Sequence, residues 1–262
     1  APVFAHLSLI LKPTGNGKLS KRDGDQGGFP IFPLNWEDPQ TGVVSSGYRE
    51  QGYLPEAFIN MLLLLGWSSG DEKELFSMEE AIAAFELEGV TKSGARFNPD
   101  KTKWFNEQYL RQLPTDAAVA AFRESAKGEV DQWDDARCIH VLNMMLERVS
   151  FMHEISAHRY LFEAPATLDE KLVAKKWKPE TAGYVLQLKA VLASVESFDS
   201  SSIETEFKAF LEENNLGFGA VLLPFRLVLT GTGGGPSMFD FASFLGREET
   251  MRRIDLGLAK VS

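Results

Sequence analysis

The stretch Gly15-Asn16-Gly17-Lys18-Leu19-Ser20-Lys21-Arg22-Asp23-Gly24 sets three cations around one serine, with glycines on both sides. Ammonium and guanidinium groups beside free backbone N–H donors suit a polyphosphate, whose charge lies on oxygens that accept hydrogen bonds. The spacing excludes a P-loop: Gly17-Lys18 would need a glycine at position 12, which is Lys12, and Ser or Thr at 19, which is Leu19. On residue types alone, a solvated basic turn competes with the phosphate reading.

The second cluster, Gly231-Thr232-Gly233-Gly234-Gly235-Pro236, fails as a dinucleotide fingerprint. Position 236 is Pro, no βαβ pattern surrounds it, and no acidic residue follows at the needed distance. It reads as a flexible, hairpin-like connection that brings its backbone close to a partner, or as a plain connector. Cys138 and His140 lie two apart, and His153 and His158 five apart, whereas ligands on one helix face need spacings of three or four. No metal site is expected from them. The pairs Glu79-Glu80, Asp134-Asp135 and Glu212-Glu213 sit at helix ends, where dipole and solvation account for them.

The elements that must position these residues are mostly helical. Val3, Phe4, Leu7, Leu9 and Ile10 predict a short buried strand, and the glycines at 15, 17, 24, 27 and 28 a flexible loop. Residues 27–47 hold no sustained period and read as an ordered loop or small insertion, rich in Pro and aromatics. From Leu54 the pattern turns helical. Pro55 and Gly66 frame a first helix, Ser77-Met-Glu-Glu80 is a capping box for a helix over Ala81 to Leu87, and Asn98-Pro99 opens another that Pro114 stops. Thr115 caps an Ala-rich helix, and one long helix is predicted from Asp134 to Ala157. Thr167-Leu-Asp-Glu170 and Ser201-Ser-Ile-Glu204 are further capping boxes, the second opening a stripe of Ile203, Phe207, Phe210 and Leu211. After an apolar segment, Val221 to Leu229, two closing helices are expected around Phe239 to Leu245 and Glu248 to Leu258.

The 262 residues suffice for about two domains, and the single cysteine excludes a disulfide scaffold. The longest aliphatic run, Met61 to Leu65, is far short of the roughly 20 residues a bilayer span needs. A cytoplasmic chain is expected, and its opening on Ala1 inside a strand pattern reads as a piece of something longer. The net charge of −10 argues against nucleic acid when taken whole. By segment the argument weakens, because residues 51–100 alone carry nine acidic and three basic side chains. Exposed charges more than about 8 Å apart are largely screened, which leaves a local face free to meet phosphate.

Read as a string, Lys18-Leu19-Ser20-Lys21-Arg22 resembles the K-M-S-K-S signature of class I aminoacyl-tRNA synthetases, in the form used by the glutamyl branch. Further matches follow in the same order: Phe4-Ala5-His6-Leu7, Tyr48-Arg49, Gly52-Tyr53-Leu54-Pro55-Glu56-Ala57, and Leu63-Leu64-Leu65-Gly66-Trp67-Ser68. Phe97, Lys103-Trp104-Phe105-Asn106 and Tyr109-Leu110-Arg111 resemble the start of that family's anticodon-binding region. Phe225-Arg226-Leu227-Val228-Leu229-Thr230-Gly231, with Gly235-Pro236, resembles its last subdomain. The whole chain is similar to the C-terminal half of the bacterial-type glutamyl-tRNA synthetase family, without its H-I-G-H-type motif or its βαβ half.

The resemblance implies a mainly α chain, with a helical stem-contact domain and an α-helical anticodon-binding domain after a short strand and loop remnant of the catalytic domain. It divides residues into 1–47, ending the catalytic domain with the motif loop and an extended insertion, 48–96, the stem-contact domain, and 97–164 and 165–262, two anticodon-binding subdomains. It implies ATP with Mg2+, L-glutamate and tRNA(Glu) as partners of the intact enzyme, no membrane, and no activity from this portion alone. Lys21 is the implied catalytic lysine, within an ATP-binding loop of Lys18, Leu19, Ser20, Lys21 and Arg22. Glycines 15, 17 and 24 would let that loop open and close. Arg148, Arg226, Gly235, Pro236 and Met238 are the implied anticodon contacts, an intrahelical pair with Glu154 being the alternative for Arg148. The link from Gly24 to Tyr48 is longer than most members carry and has no role that the resemblance supplies. A free-standing, non-catalytic tRNA-binding module is the second reading.

Overall fold

A computed structural model describes residues 4 and 6–261. Val3 and Ala5, part of the predicted first strand, lie outside the described residues. The chain divides into two compact units. The first holds the described residues up to Ala118 together with Leu146–Glu154, and the second holds Val119–Met145 and the residues from Ile155 onward.

The first unit begins with β1 (Ile10–Leu11), α1 (Lys21–Gly27), and the antiparallel pair β2 (Trp36–Glu37) and β3 (Val44–Ser45). Then come α2 (Pro55–Leu64), α3 (Met78–Ala84), β4 (Ala95–Arg96) and α4 (Pro99–Arg111). β1 pairs in parallel with β4, Ile10 opposite Ala95, across more than eighty residues of chain. No sequence period announces that pairing. Phe4, Leu7 and Leu9 are 79%, 72% and 58% exposed, so the strand expected to be buried is short and uncovered. Its partners are the two-residue β4 and a single bridge from Leu11 to Lys18, which shield its edges and neither face.

Local signals place α2, α3 and α4. Pro55 and Pro99 sit in first turns, where a missing N–H costs nothing, and Asn98 Oδ1 accepts from the N–H groups of Asp100 and Lys101. Ser77 and Glu80 form the predicted capping box, but the helix they open runs over Met78–Ala84 rather than Ala81 to Leu87. Tyr48, Tyr53, Ala57, Met61, Phe97, Phe105 and Phe151 make the core of this unit.

The second unit contains α6 (Asp135–Met145), α8 (Glu170–Lys176), α9 (Thr181–Ser194), α10 (Ser200–Glu213), α11 (Phe218–Thr230) and α12 (Met238–Leu258). α10, α11 and α12 pack on one another and on α9 around Leu188, Leu192, Ile203, Phe207, Phe225 and Phe241, each wholly buried. Removing one such side chain from water contributes about 1.5–3 kcal/mol. α5 (Thr115–Ser125) begins at Thr115 itself, and α7 is Met152–Ala157.

Several predicted boundaries move. The helix expected from Asp134 to Ala157 is interrupted after α6 by a 3-10 turn over Leu146–Arg148 and a break at Val149 to Phe151. Asp169 caps α8 in place of Thr167, and Asp199 caps α10 in place of Ser201, because in each case the aspartate carboxylate reaches the N–H three residues on. Gly246, with φ 78° and ψ 166°, divides α12 into the two closing helices that the sequence predicts. Among the described residues, no helix is long and apolar enough to cross a membrane. The mainly α class expected from the sequence holds.

Candidate functional site

The lysine-rich motif starts as a turn and ends as a helix. Lys12 N–H donates to Gly17 O at 3.1 Å and Leu19 N–H to Ile10 O at 2.8 Å, which closes a tight loop. Gly15 and Gly17 take φ of 72° and 119°, values that L side chains rarely adopt. Arg96, at the end of β4, donates from Nη1 to the carbonyls of Lys12 and Gly15 at 2.7 and 2.8 Å, fixing this loop from outside. Leu19 turns inward against the core of its unit, while Lys18 and Arg22 remain exposed.

Residues 21–27, expected as flexible loop, are helical. Ser20 is the N-cap, and the Asp23 carboxylate accepts from the Ser20 N–H at 2.8 Å. Lys12 Nζ lies 2.8 Å from the other Asp23 oxygen. The Lys12 ammonium and the Ser20 hydroxyl hold the Asp23 carboxyl down at about 2. Gly24 is buried within α1. A Cβ there would stand 2.5 Å from Ile31 Cγ1 and 2.8 Å from the Phe29 carbonyl, so its bareness lets α1 lie directly on the following segment.

The unassigned segment after α1 supplies the closest partner of Lys21. Trp36 and Phe32 stack with centroids 5.2 Å apart and planes 18° from parallel. The Lys21 ammonium sits 3.4 Å from the Trp36 centroid and 5.3 Å from that of Phe32, a cation–π contact. Beside it opens a cleft of about 610 Å³ lined by Ser20, Lys21, Arg22, Asp25, Trp36 and Asp38. Gln40 and Thr41 donate their N–H groups to Asp38 and keep its carboxyl below the usual range.

Arg148 lies in the same unit, exposed, on the 3-10 turn after α6. Among the described residues it makes no ion pair. Glu154, its alternative partner, instead accepts from the N–H groups of Ser150 and Phe151 at 2.7 and 3.2 Å.

The remaining predicted residues gather in the second unit. Arg226, half-buried on α11, extends to Gly235: a Cβ built on that glycine would lie 3.2 Å from Arg226 Nη1 and 3.1 Å from Tyr160 Oη. The glycine cluster is held by hydrogen bonds. Gly231 closes α11 at φ 76°, its carbonyl accepts from Asp169 N–H at 2.9 Å, and Thr232 Oγ1 donates to Gly234 O at 3.0 Å. Pro236 is buried and Met238 only 1% exposed, so their side chains shape the turn from within. Thr232, Gly233 and Gly234 are exposed on the turn, and half-buried Gly235 lies against the Arg226 guanidinium. A second cleft of about 400 Å³, between His158 to Thr167 and Thr230 to Thr232, opens in this unit.

Sequence reasoning missed Arg96, Lys12, Asp23, Trp36, Phe32 and Tyr160. Only the Ser20 to Asp23 spacing carried a local signal, since the other contacts join residues that no period or motif relates. Among the described residues, no group of three or more His, Cys, Asp and Glu is arranged to hold a metal ion.

Residues 102–258 match the family described as anticodon binding domain, and residues 1–104 that described as tRNA synthetases class I (E and Q), catalytic domain. The glutamate–tRNA ligases of Porphyromonas gingivalis and Flavobacterium johnsoniae are 45% and 46% identical over 254 and 260 residues. Those alignments cover 97% and 99% of this chain but 50% and 51% of theirs, so the chain spans about half the length of the relatives it matches. The crystal structure of a glutamate tRNA ligase from Elizabethkingia meningosepticum, in complex with its amino acid, superposes with a TM-score of 0.94 at 44% identity, over 100% of this chain and 52% of that one. The glutamate-tRNA synthetase of Elizabethkingia anophelis gives 0.89 at 43%, over 99% and 51%. With more than half of its length matched, the chain belongs to the anticodon-binding-domain family, carried here behind a segment of class I (E and Q) tRNA synthetase catalytic sequence.

Proposed function

We propose that this chain is the tRNA-reading half of a glutamate–tRNA ligase and that its helical units bind tRNA(Glu). The observation that carries the reading is the conjunction, in one chain, of the anticodon-binding match over 102–258 with a catalytic-domain match over 1–104 that contains the Lys18 to Arg22 motif. In the intact enzyme the glutamate carboxylate attacks the α-phosphorus of ATP, brought with its Mg2+, and pyrophosphate leaves. The terminal adenosine hydroxyl of the tRNA then attacks the glutamyl carbonyl, and AMP leaves.

Negative charge shifts onto the leaving pyrophosphate in the first step. Lys21 is the lysine that would meet it, with Lys18, Leu19, Ser20 and Arg22 forming the loop around the nucleotide. Electrostatic contacts made only as charge develops are worth about 3 kcal/mol each, which is the scale expected of Lys21. The chain by itself lacks the glutamate-holding half, and no exchange of pyrophosphate into ATP is expected from it. A cytoplasmic location is part of the same proposal, consistent with a single free, buried Cys138.

Anticodon reading falls to Arg226 and the Gly235 turn, with Arg148 as a further candidate. Splayed bases are recognised by stacking on planar groups and by hydrogen bonds to their edges, each stack contributing about 1–3 kcal/mol. Arg226 is suited to both, since its guanidinium is planar and its position against Gly235 is fixed. The test is titration of this chain with tRNA(Glu) and with an anticodon-altered variant, for the natural chain and for Arg226→Ala. Discrimination that is lost in Arg226→Ala supports base reading. Equal binding of both tRNAs by the natural chain overturns it.

A further inference from the structure

We propose that Trp36 and Phe32 form a resting platform for Lys21, which nucleotide must draw away before the lysine can serve phosphate. The proposal rests on the reading of Lys21 as the nucleotide-facing lysine and assigns a role to the segment between Gly28 and Gly47.

The platform is built rather than incidental. Phe32 O accepts from Tyr48 N–H at 2.9 Å, and Pro33 O from Arg49 N–H at 3.1 Å. Glu50 Oε2 accepts from Asn35 N–H at 2.9 Å, and Asn35 Oδ1 from Gly47 N–H at 2.8 Å. Gly47 has no alternative, because a Cβ there would lie 2.2 Å from the Leu34 carbonyl carbon. The stacked rings are therefore mounted on Tyr48, a core residue of their unit. From the other side, α1 is seated on Ile31 through the bare Gly24, which sets Lys21 opposite the rings.

The carboxylates of the cleft favour an ammonium at rest, although Arg22 also lines it. Asp25 and Asp38 line the same cleft as Lys21 and Trp36. Two carboxylates repel a triphosphate, while an indole face and a nearby carboxylate both attract an ammonium. Among the described residues Lys21 forms no close ion pair, so the aromatic contact, helped by the charge of Asp38, retains it and a polyphosphate could outcompete it. An ammonium over a half-buried indole gains a bias of about two- to tenfold in population, and a ligand that needs the other position binds more weakly by that factor.

Two measurements test this. In NMR spectra of this chain, the Lys21 Hε resonances are expected upfield of free lysine through the indole ring current, with the displacement kept in Trp36→Phe and lost in Trp36→Leu. In the intact ligase carrying these residues, Trp36→Leu is expected to lower the KM for ATP in pyrophosphate exchange by about two- to tenfold, with Trp36→Phe between it and the natural protein. A merely structural role for Trp36 would raise KM or lower kcat instead. Absence of the upfield displacement, or a KM that is unchanged or raised in Trp36→Leu, overturns the proposal and leaves the nucleotide role of Lys21 standing. Undiminished exchange by Lys21→Ala, with the displacement present, would overturn the reading on which the proposal rests.

Discussion

Asn106 on α4 and Ser150 in the break after α6 are joined at 2.6 Å, the Asn106 side-chain amide donating to the Ser150 carbonyl. The same side chain accepts from Leu54 N–H at 2.8 Å through Oδ1, and Asn106 is wholly buried. One residue thus completes the backbone groups at the entrance to α2 and at the interruption of the predicted long helix. Ser150 is held further by Glu107, whose carboxylate accepts from its hydroxyl at 2.7 Å.

Asn106→Leu retains volume but abandons both bonds, leaving the half-buried Leu54 N–H and Ser150 carbonyl without that partner. Each orphaned group costs about 1–3 kcal/mol, so the variant is expected to lose about 2–5 kcal/mol by urea unfolding. Asn106→Asp would keep the acceptor for Leu54 and lose the donor to Ser150. A stability loss under about 1 kcal/mol in Asn106→Leu would show that water replaces both partners.

This tie explains which parts of the fold were legible in the sequence. Ser77 with Glu80, and Asn98 with Pro99, are local devices whose partners lie within three residues, so reading the string finds them. The break at Ser150 is made by α4, more than forty residues away, and the run Ile139, Leu142, Leu146, Val149 continues through it with helical spacing. Phe32 and Trp36 are visible as aromatics needing a surface, but their partner is the ammonium of Lys21. The motif that named the site could not show what holds it at rest. Met238 is the opposite case: a resemblance marks its position, while its burial, 1% exposed, is set by packing that no motif announces.

Gly235→Ala tests the Arg226 turn without touching the arginine. The added Cβ would meet Tyr160 Oη and Arg226 Nη1 at 3.1 and 3.2 Å, and φ of 136° is strained for alanine. The expected loss is at least about 1 kcal/mol in stability, read by thermal unfolding, because alanine is incompatible with positive φ. Displacement of the guanidinium should also reduce discrimination between tRNA(Glu) and the anticodon-altered variant. Discrimination unchanged in a folded Gly235→Ala chain would separate Arg226's position from base reading.

The acidic balance bears on how binding responds to salt. With a net charge of −10, the proposed tRNA binding is not expected to rest on a basic coat, and few phosphates are expected to be neutralised. Each neutralised phosphate steepens the fall of log affinity with log salt by about 0.7–0.9. A slope no steeper than about −3 is expected between 50 and 200 mM salt, for roughly three or four contacts. A much steeper slope would mean that a local basic face outweighs stacking and shape.

Glu249 gives the second unit a titration of its own. Its carboxylate accepts from Arg252 Nε at 2.6 Å and from Arg253 Nε at 2.7 Å, and Arg253 is only 2% exposed. Arg253 also donates to the carbonyls of Tyr160 and Leu229 at 2.7 and 3.2 Å, so the guanidinium clamps α12 to the end of α11 and to Tyr160. Hydrogen bonding from Arg252, and then from Arg253, holds the Glu249 carboxyl at about 2 against an ordinary value of 4.5, with partial burial opposing. A carboxyl with a lower value folded than unfolded stabilises the fold fully above the unfolded value and loses that contribution as pH falls toward the folded one. The stabilisation is therefore complete above about pH 4.5 and fades toward pH 2. Glu249→Gln keeps an acceptor for Arg253 but removes the charge, and is expected to cost about 1–3 kcal/mol at pH 7. The deficit should shrink as both proteins are unfolded by urea at successively lower pH, because acid protonates the natural glutamate while the glutamine does not titrate. Asp23 and Asp199 titrate in the same acid range and are common to both proteins, so the difference between the two curves isolates Glu249. A deficit that stays constant from pH 7 to pH 3 would show that the clamp depends on shape and hydrogen bonding rather than on the carboxylate charge.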